Sequence, residues 1–264
     1  MVKRCITICA DDFGLNKSIN NGILKLVKLN RINAVSVLTQ THELKADSPH
    51  LLELSQDLDL GVHLNLTDAI GSDPHYSLNK LIFLSNLRFI SKDKIKNIFR
   101  NQIESFIHYF KTLPNFLDGH QHVHGFPVIR DALIEVIQEF WGQDRSFYVR
   151  NPSKFSIYSK DFFLKKLVIK TCYLGLEDKF QSAKISSPVN FSGFYDFNSE
   201  YPRFFSNLLS KCSNGELFMC HPAIELTSDI IGGARYFEYK YFSSDQFLFD
   251  CEKNNIILSR FSKN

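Results

Sequence analysis

Two adjacent carboxylates, Asp11 and Asp12, are the first residues of this sequence with an evident capacity for chemistry. They follow the apolar run Cys5–Ala10 and precede Phe13-Gly14, which can turn the chain. Neighbouring side chains of a strand point to opposite faces, so both carboxylates can serve one site only if the backbone turns there. One carboxylate could then bind a metal ion while the other accepts a proton from water. The competing interpretation is that one of them caps the following helix.

Histidines end two later apolar runs. His63 lies in a segment where apolar residues alternate with polar ones, which gives a predicted strand one polar face. A second group shares one parity and would line one face of an extended chain. Its members are Asp118, His120, His122 and His124. A carboxylate and two imidazoles form a metal site with nitrogen and oxygen ligands. The alternative for His63 alone is a hydrogen-bonded core histidine.

Two further candidates end predicted strands. Arg150 precedes Asn151-Pro152 and would bring a guanidinium to the same edge, to orient a carboxylate or hold a substrate oxygen. A surface ion pair is the alternative for Arg150. His221 ends the run 217–221, where a neutral imidazole suits a general acid or base. A Cys220–His221 nucleophile pair is rejected, because adjacent strand residues diverge.

Predicted strands and helices alternate along the chain. The predicted strands are 4–10, 34–39, 58–66, 116–119, 146–150, 187–191, 216–220 and 255–258. The predicted helices are 18–29 with Ser18 as its N-cap, 43–55, 81–90, 93–110, 127–140, 155–173, 201–209 and 244–252. Seven or eight such units predict a single-domain α/β fold over residues 1–264, a parallel (β/α) barrel that is complete, irregular or seven-stranded. Parallel strands bring their carboxyl ends to one edge, where we expect the candidate residues to meet.

Composition limits the class of protein. The 264 residues carry 31 basic and 28 acidic side chains, a net charge of +3 that does not suggest a nucleic-acid partner. The six cysteines show no paired spacing, so a disulfide framework is not expected. No signal-peptide pattern precedes the first predicted strand and no apolar run reaches membrane length. We therefore expect a cytoplasmic protein with no membrane insertion.

The motifs jointly resemble a known family. They are Ala10-Asp-Asp-Phe-Gly-Leu15, Gly61-Val-His63, Asp118-Gly-His-Gln-His-Val-His124 and Cys220-His-Pro-Ala223. Their types and order are similar to those of the YdjC-like carbohydrate deacetylases, which include chitooligosaccharide deacetylase. The resemblance implies a barrel related to the polysaccharide deacetylases that removes acetyl groups from N-acetylated sugars. It also implies one divalent metal ion, Mg²⁺ or Zn²⁺, and a homodimer.

The resemblance also implies roles for individual residues. Asp12, His63 and His120 match the metal ligands, and Asp11 matches the catalytic base. His221, or in its place His124, would protonate the departing amine.

Residues around these would orient ligands or bind substrate, and they are Asp118, His122 and Arg150. The chain departs from some relatives at Gly119-His120-Gln121, where they have consecutive histidines. That departure leaves the first histidine in place.

Two other functions fit the same residues less well. A phosphoesterase would favour two metal ions, more carboxylates and a basic pocket, whereas the motifs supply ligands for one metal. A non-catalytic sugar-binding barrel would have lost some of the catalytic set, which is complete here. We expect residues 67–79 and 155–181 to decide which acetylated sugar binds.

Overall fold

The structure, a computed structural model, describes residues 2–71, 73–144, 146–155, 171–197 and 200–263. Its strands are β1 (Arg4–Phe13), β2 (Ala34–Val37), β3 (Asp59–Leu64), β4 (Phe116–Gly119), β5 (Tyr148–Val149), β6 (Phe191–Ser192), β7 (Glu216–Cys220) and β8 (Ile256–Leu258). Its α-helices are α1 (Lys17–Lys28), α2 (His42–Glu53), α3 (Leu78–Asn86), α4 (Lys92–Phe110), α5 (Ile129–Trp141), α6 (Leu176–Ser182), α7 (Tyr201–Lys211), α8 (Gly232–Phe242) and α9 (Asp245–Lys253).

The strands form one parallel sheet with the order β5-β4-β3-β2-β1-β7-β6, and β8 also pairs with β1. In the described ranges, the two ends of the sheet approach each other through two single bridges, Tyr148 with Ser186 and Phe155 with Phe191. The sheet is therefore curled into an incomplete barrel. This confirms the predicted α/β barrel in its irregular form.

The two faces of the sheet bury different residues. One face packs against the helices through aliphatic side chains such as Ile8, Val35 and Val62. Residues of the opposite parity fill the concave side, and they are Cys9, Ala34, Phe116, Tyr148, Phe191, Leu217 and Met219. Large rings thus plug the inside of the barrel, as the packed interior of such folds requires.

Gly61 lies beside one of these rings. A Cβ at Gly61 would stand 2.4 Å from the Phe116 ring, so only glycine fits at this level of β3. Two residues further along β3, with the same parity, His63 reaches the carboxyl edge. The packed interior of the barrel therefore fixes the strand that carries His63.

Several local predictions are wrong or fall elsewhere. The N-cap of α1 is Asn16, whose side chain accepts from the Ile19 N–H, and not Ser18. Helix α8 was not predicted. The predicted helix 155–173 lies largely outside the described residues.

Two observations bear on the sequence-based class. Among the described residues, none of the helices has both the length and the apolar character that crossing a membrane requires. The six cysteines all lie in the described residues and form no disulfide with one another, as the unpaired spacing predicts.

Candidate metal centre and active site

A bulge in β1 brings the two carboxylates to one place. The pairing of β1 with β2 shifts register between Ala10 and Phe13, so β1 carries an extra residue there. Asp12 lies in this bulge with φ 70°, in the left-handed region. The bulge breaks the alternation that would otherwise send Asp11 and Asp12 to opposite faces.

The predicted turn follows immediately. Gly14 has φ 104°, and the Leu15 N–H donates to the Asp12 carbonyl at 3.0 Å. Asn16, and neither carboxylate, caps the helix after the turn. The capping interpretation of Asp11 and Asp12 is therefore wrong.

Asp12, His63 and His120 converge at the carboxyl edge. Asp12 Oδ1 lies 3.4 Å from His63 Nε2 and 3.2 Å from His120 Nδ1, and the two nitrogens are 3.3 Å apart. One ligand atom from each residue lies within 4.8 Å of the others. Asp12 Oδ1 is buried and has no hydrogen-bond partner among the described residues. One carboxylate oxygen and two imidazole nitrogens therefore face a common point.

The other oxygen of Asp12 is already paired. Arg235 Nη2 donates to Asp12 Oδ2 at 2.7 Å, and Arg235 Nε donates to Asp229 Oδ2 at 2.7 Å. Arg235 is only 2% exposed. The guanidinium therefore fixes the carboxylate so that Oδ1 is the oxygen left facing the histidines.

Each histidine also has an outer partner. Asp118 Oδ1 lies 2.7 Å from His63 Nδ1 and accepts from the Ser36 hydroxyl at 2.5 Å. Asp68 Oδ2 lies 3.2 Å from His120 Nε2. A carboxylate behind each imidazole is the usual way to orient a metal-binding histidine.

These carboxylates shift the pKa of the histidines. Burial alone would lower the pKa of His63, but Asp118 and Asp12 raise it to about 10. Burial likewise opposes protonation of His120, and Asp12 and Asp68 raise its pKa to about 9. The cluster is thus an environment that favours positive charge.

Asp11 is held by Arg150. Arg150 donates to Asp11 through Nη1 at 2.6 Å and Nη2 at 2.7 Å, and its Nη2 lies 2.7 Å from Asp118 Oδ2. Arg150 is fully buried, so the surface-ion-pair interpretation is wrong. Burial would raise the pKa of Asp11, but the Arg150 guanidinium lowers it well below its usual value.

The same guanidinium occupies a second acidic cluster. Cys9, Asp11 and Asp118 also have potential ligand atoms close together. Arg150 Nη2 lies 3.1 Å from Cys9 Sγ, and the guanidinium contacts both carboxylates. A cation therefore already neutralises this cluster, which leaves Asp12, His63 and His120 as the candidate metal site.

His221 stands on the other side of Asp11. Its Nε2 lies 4.0 Å from Asp11 Oδ2, and its side chain is 14% exposed. The backbone N–H of His221 donates to Glu238 Oε2, and Tyr195 donates to Glu238 Oε1 at 2.7 Å. Helix α8 thus supplies Arg235 to one part of the site and Glu238, one turn later, to another.

The histidine run is not extended, so its three histidines do not line one face. Residues His120–Gly125 form a 3-10 turn in which Gln121 and His122 have φ 52° and 58°. The ring of His122 packs against aromatic rings, 4.9 Å from Phe194 between centroids. His122 therefore does not join the three-residue cluster.

His124 does not reach the site either. It is fully buried, and its Nε2 donates to the Arg150 carbonyl at 2.7 Å. Burial lowers the pKa of His124 to about 4, so the ring is neutral near pH 7. The structure therefore gives His124 a contact that fixes the backbone at Arg150 and does not support its predicted role as a proton donor to substrate.

With this geometry in place, the chain can be compared with known proteins. Residues 5–253 match the family model described as YdjC-like protein. The chain belongs to the YdjC-like family. A YdjC-like relative from Clostridium beijerinckii, named carbohydrate deacetylase, is 27% identical over 237 residues, which cover 86% of this chain and 84% of that protein.

Solved structures share the fold of this YdjC-like chain. A protein from Enterococcus faecalis V583, whose given name refers to cellobiose-phosphate cleavage, has a TM-score of 0.70 and 19% identity with 99% of each chain covered. The Xyl-CE4 domain of a multidomain xylanase from the hindgut metagenome of Trinervitermes trinervoides has a TM-score of 0.51 and 9% identity. That comparison covers 99% of this chain and 89% of the other.

Three residues that contact the candidate site residues were not predicted from the sequence. Arg235 and Glu238 lie three residues apart on α8, a spacing that puts both on one helix face. Two charged residues on the buried face of a helix would have indicated contact with a site, but the helix itself was not predicted. Asp68 lies in the loop 65–77, where no local pattern distinguishes it from other turn residues.

Proposed function

We propose that this protein is a metal-dependent carbohydrate deacetylase that hydrolyses the acetamide group of N-acetylated sugars. The observation that carries the proposal is the convergence of Asp12, His63 and His120 beside the separately held Asp11. The name of the Clostridium beijerinckii relative supports the reaction type. Chitooligosaccharides and other sugars with N-acetylglucosamine units are the proposed substrates.

The donor set fits one divalent metal ion. Asp12 Oδ1 is a buried oxygen without a hydrogen-bond partner among the described residues, and two imidazole nitrogens share its environment. One carboxylate and two imidazoles suit Zn²⁺ or a similar transition metal, and Mg²⁺ less well by ligand preference. When bound, such an ion polarises an amide carbonyl and makes water more acidic.

Asp11 and His221 would carry out the proton transfers of the reaction. Asp11, ionised and fixed by Arg150, is the proposed base that accepts a proton from the attacking water. His221 faces Asp11 from 4.0 Å and is partly exposed, so it is the proposed acid that protonates the departing amine. Asp118 contacts both His63 and Arg150, so it would hold the proposed ligand His63 and the proposed base Asp11 at a fixed relative position.

The two alternatives are less well supported. A two-metal phosphoesterase would need a second open cluster, but Arg150 occupies the one formed by Cys9, Asp11 and Asp118. A non-catalytic sugar-binding protein would not need a carboxylate held apart from the metal ligands, as Asp11 is. We also propose that the protein is cytoplasmic and forms a homodimer.

Acetate release tests the proposal. Metal-loaded and chelated protein would be incubated with N,N′-diacetylchitobiose and longer chitooligosaccharides, with Asp11→Asn as the matched variant. We expect acetate from the metal-loaded wild type only, and its loss in Asp11→Asn although the variant binds metal. If metal-loaded wild type released no acetate from any N-acetylated sugar, the deacetylase function would be wrong.

A further inference from the structure

Asp68 is a carboxylate at the open side of the site with no role in the mechanism above. Its Oδ2 lies 3.2 Å from His120 Nε2, on the opposite side of the ring from Asp12. The Asp68 side chain is 40% exposed, whereas Asp12 and Asp118 are almost fully buried. Within the described part of the chain, Asp68 is thus the outer partner of the proposed ligands that reaches the site from a surface loop.

The loop holds Asp68 in place through a network of its own. Asn65 Oδ1 accepts from the backbone N–H groups of Thr67 and Asp68, each at 3.0 Å, and Asn65 Nδ2 donates to the Asp68 carbonyl at 2.9 Å. Gln102 of α4 in turn bonds both backbone polar groups of Asn65 at 2.9 Å. The Asn65 side chain therefore fixes the backbone at Asp68, and the buried Gln102 side chain of α4 fixes the backbone at Asn65.

We propose that Asp68 is a positioning residue for His120, so that the loop 65–77 sets how tightly the site binds its metal ion. The proposal rests on the proposed function, because it takes His120 as a ligand through Nδ1. An imidazole that ligates through Nδ1 carries its proton on Nε2, and that N–H needs an acceptor. Asp68 Oδ2 is such an acceptor and fixes both the tautomer and the rotation of the ring.

The geometry separates this role from that of an ordinary surface ion pair. A surface pair joins two solvated side chains, but His120 is only 14% exposed and its other nitrogen faces Asp12. Any shift of Asp68 would turn Nδ1 relative to Asp12 Oδ1. The position of the loop 65–77 therefore determines how His120 Nδ1 is oriented relative to Asp12 Oδ1.

Metal affinity is the test. Metal-depleted wild type, Asp68→Asn and Asn65→Ala would be titrated with Zn²⁺ and with Mg²⁺ by calorimetry. For Asp68→Asn we expect the dissociation constant to rise about tenfold, because a neutral amide oxygen accepts from His120 Nε2 more weakly than a carboxylate and no longer raises the basicity of the ring. Asn65→Ala keeps the Asp68 charge but frees its backbone, so the constant should rise in the same direction by a smaller factor.

Asp73→Asn is the matched control. Asp73 lies in the same loop and accepts from Gln102 Nε2 at 3.4 Å, a role that an asparagine oxygen can keep. The metal affinity of Asp73→Asn should stay within about twofold of that of the wild type, as is usual for surface charges.

Equal metal affinities of Asp68→Asn and wild type would overturn the positioning role. Wild type that bound no ion would instead reject the metal centre, so the two failures are distinguishable. A lower melting temperature of metal-free Asp68→Asn with unchanged affinity would show a merely structural role and also overturn the inference.

Discussion

Glu238 binds the backbone N–H of His221 through Oε2, and its Oε1 lies 3.9 Å from Nδ1 of the same histidine. Glu238 is 1% exposed and has Tyr195 as a second donor. This buried carboxylate fixes the backbone at His221 and lies beside Nδ1, and His221 Nε2 is the ring nitrogen that lies 4.0 Å from Asp11 Oδ2. Glu238 thereby orients the proposed acid from outside the reaction centre.

Replacing Glu238 by glutamine should slow the reaction without releasing the metal. Glutamine can still accept from one donor, but it loses one of the two acceptor oxygens and the charge beside the His221 ring, so the backbone and the ring of His221 are held less firmly. We expect kcat for deacetylation to fall roughly tenfold, less than the roughly 10²- to 10⁴-fold that general acid–base catalysis contributes. Steady-state kinetics and calorimetric metal titration on the same preparation would measure both effects. A loss of metal affinity equal to the loss of kcat would contradict this role.

Arg150→Met should destabilise the protein strongly. The substitution leaves Asp11 and Asp118 as buried charges without their shared cation. Breaking a buried pair of this kind costs about 3–5 kcal/mol of unfolding free energy. Urea unfolding followed by circular dichroism would measure the loss. Lys154→Met removes the partly exposed pair with Glu177 and should cost less than about 1 kcal/mol; equal stabilities of the two variants would contradict the central position of Arg150.

Gly61→Ala should strain the inside of the barrel. The new Cβ would stand 2.4 Å from the Phe116 ring, so the ring or β3 must move. Overpacking of this kind costs about 1–3 kcal/mol, and movement of β3 would also shift His63. Thermal unfolding and metal titration would report the two effects separately. Gly233→Ala meets no atom within 4 Å in helix α8 and should be neutral or slightly stabilising; a larger loss there than at Gly61 would contradict the packing argument.

The buried neutral state of His124 should make stability fall in mild acid. Burial lowers the pKa of this ring from 6.5 to about 4, so between these values the unfolded chain binds a proton that the folded chain does not. The contribution of His124 is complete above pH 6.5 and decreases by roughly 3 kcal/mol as the pH falls through that window.

His124→Gln isolates this effect, because glutamine does not titrate. Unfolding free energies from urea titrations at pH 7.5 and pH 4.5 should differ less in the variant than in the wild type. The same pH dependence in both proteins would mean that His124 is protonated in the folded state.

The convergence of the site could be predicted because it depends on regular rules. Asp11, His63 and Asp118 lie on parallel strands with a shared parity, and Arg150 directly follows β5, so their positions at the carboxyl edge follow from strand length and alternation. His120 and His221 directly follow β4 and β7 and were predicted by the same rule, and the family motifs added their roles. Nothing beyond the order of apolar runs was needed to place these residues together.

The partners of the site could not be predicted in the same way. Arg235 of α8 meets Asp12 of β1 across 223 residues of sequence, a tertiary contact that no local pattern records. The left-handed backbone of Gln121 and His122 changes the direction of the chain within the histidine run. Neither residue is a glycine, the residue type from which a left-handed conformation is usually predicted. Strand alternation was a reliable guide only as far as the strands continue.

Strand β1 carries Asp11 and Asp12 and pairs with β2, β7 and β8. Cys9 and Ala10 pair with residues of both β2 and β7, and Arg4 pairs with Ile256. During synthesis, β1 leaves the ribosome long before β7 and β8 exist, so Asp11 and Asp12 must wait for distant segments before their strand is held on both sides. Any reaction that needs Asp11 and Asp12 in place therefore requires that β7 and β8 have been made and have paired with β1.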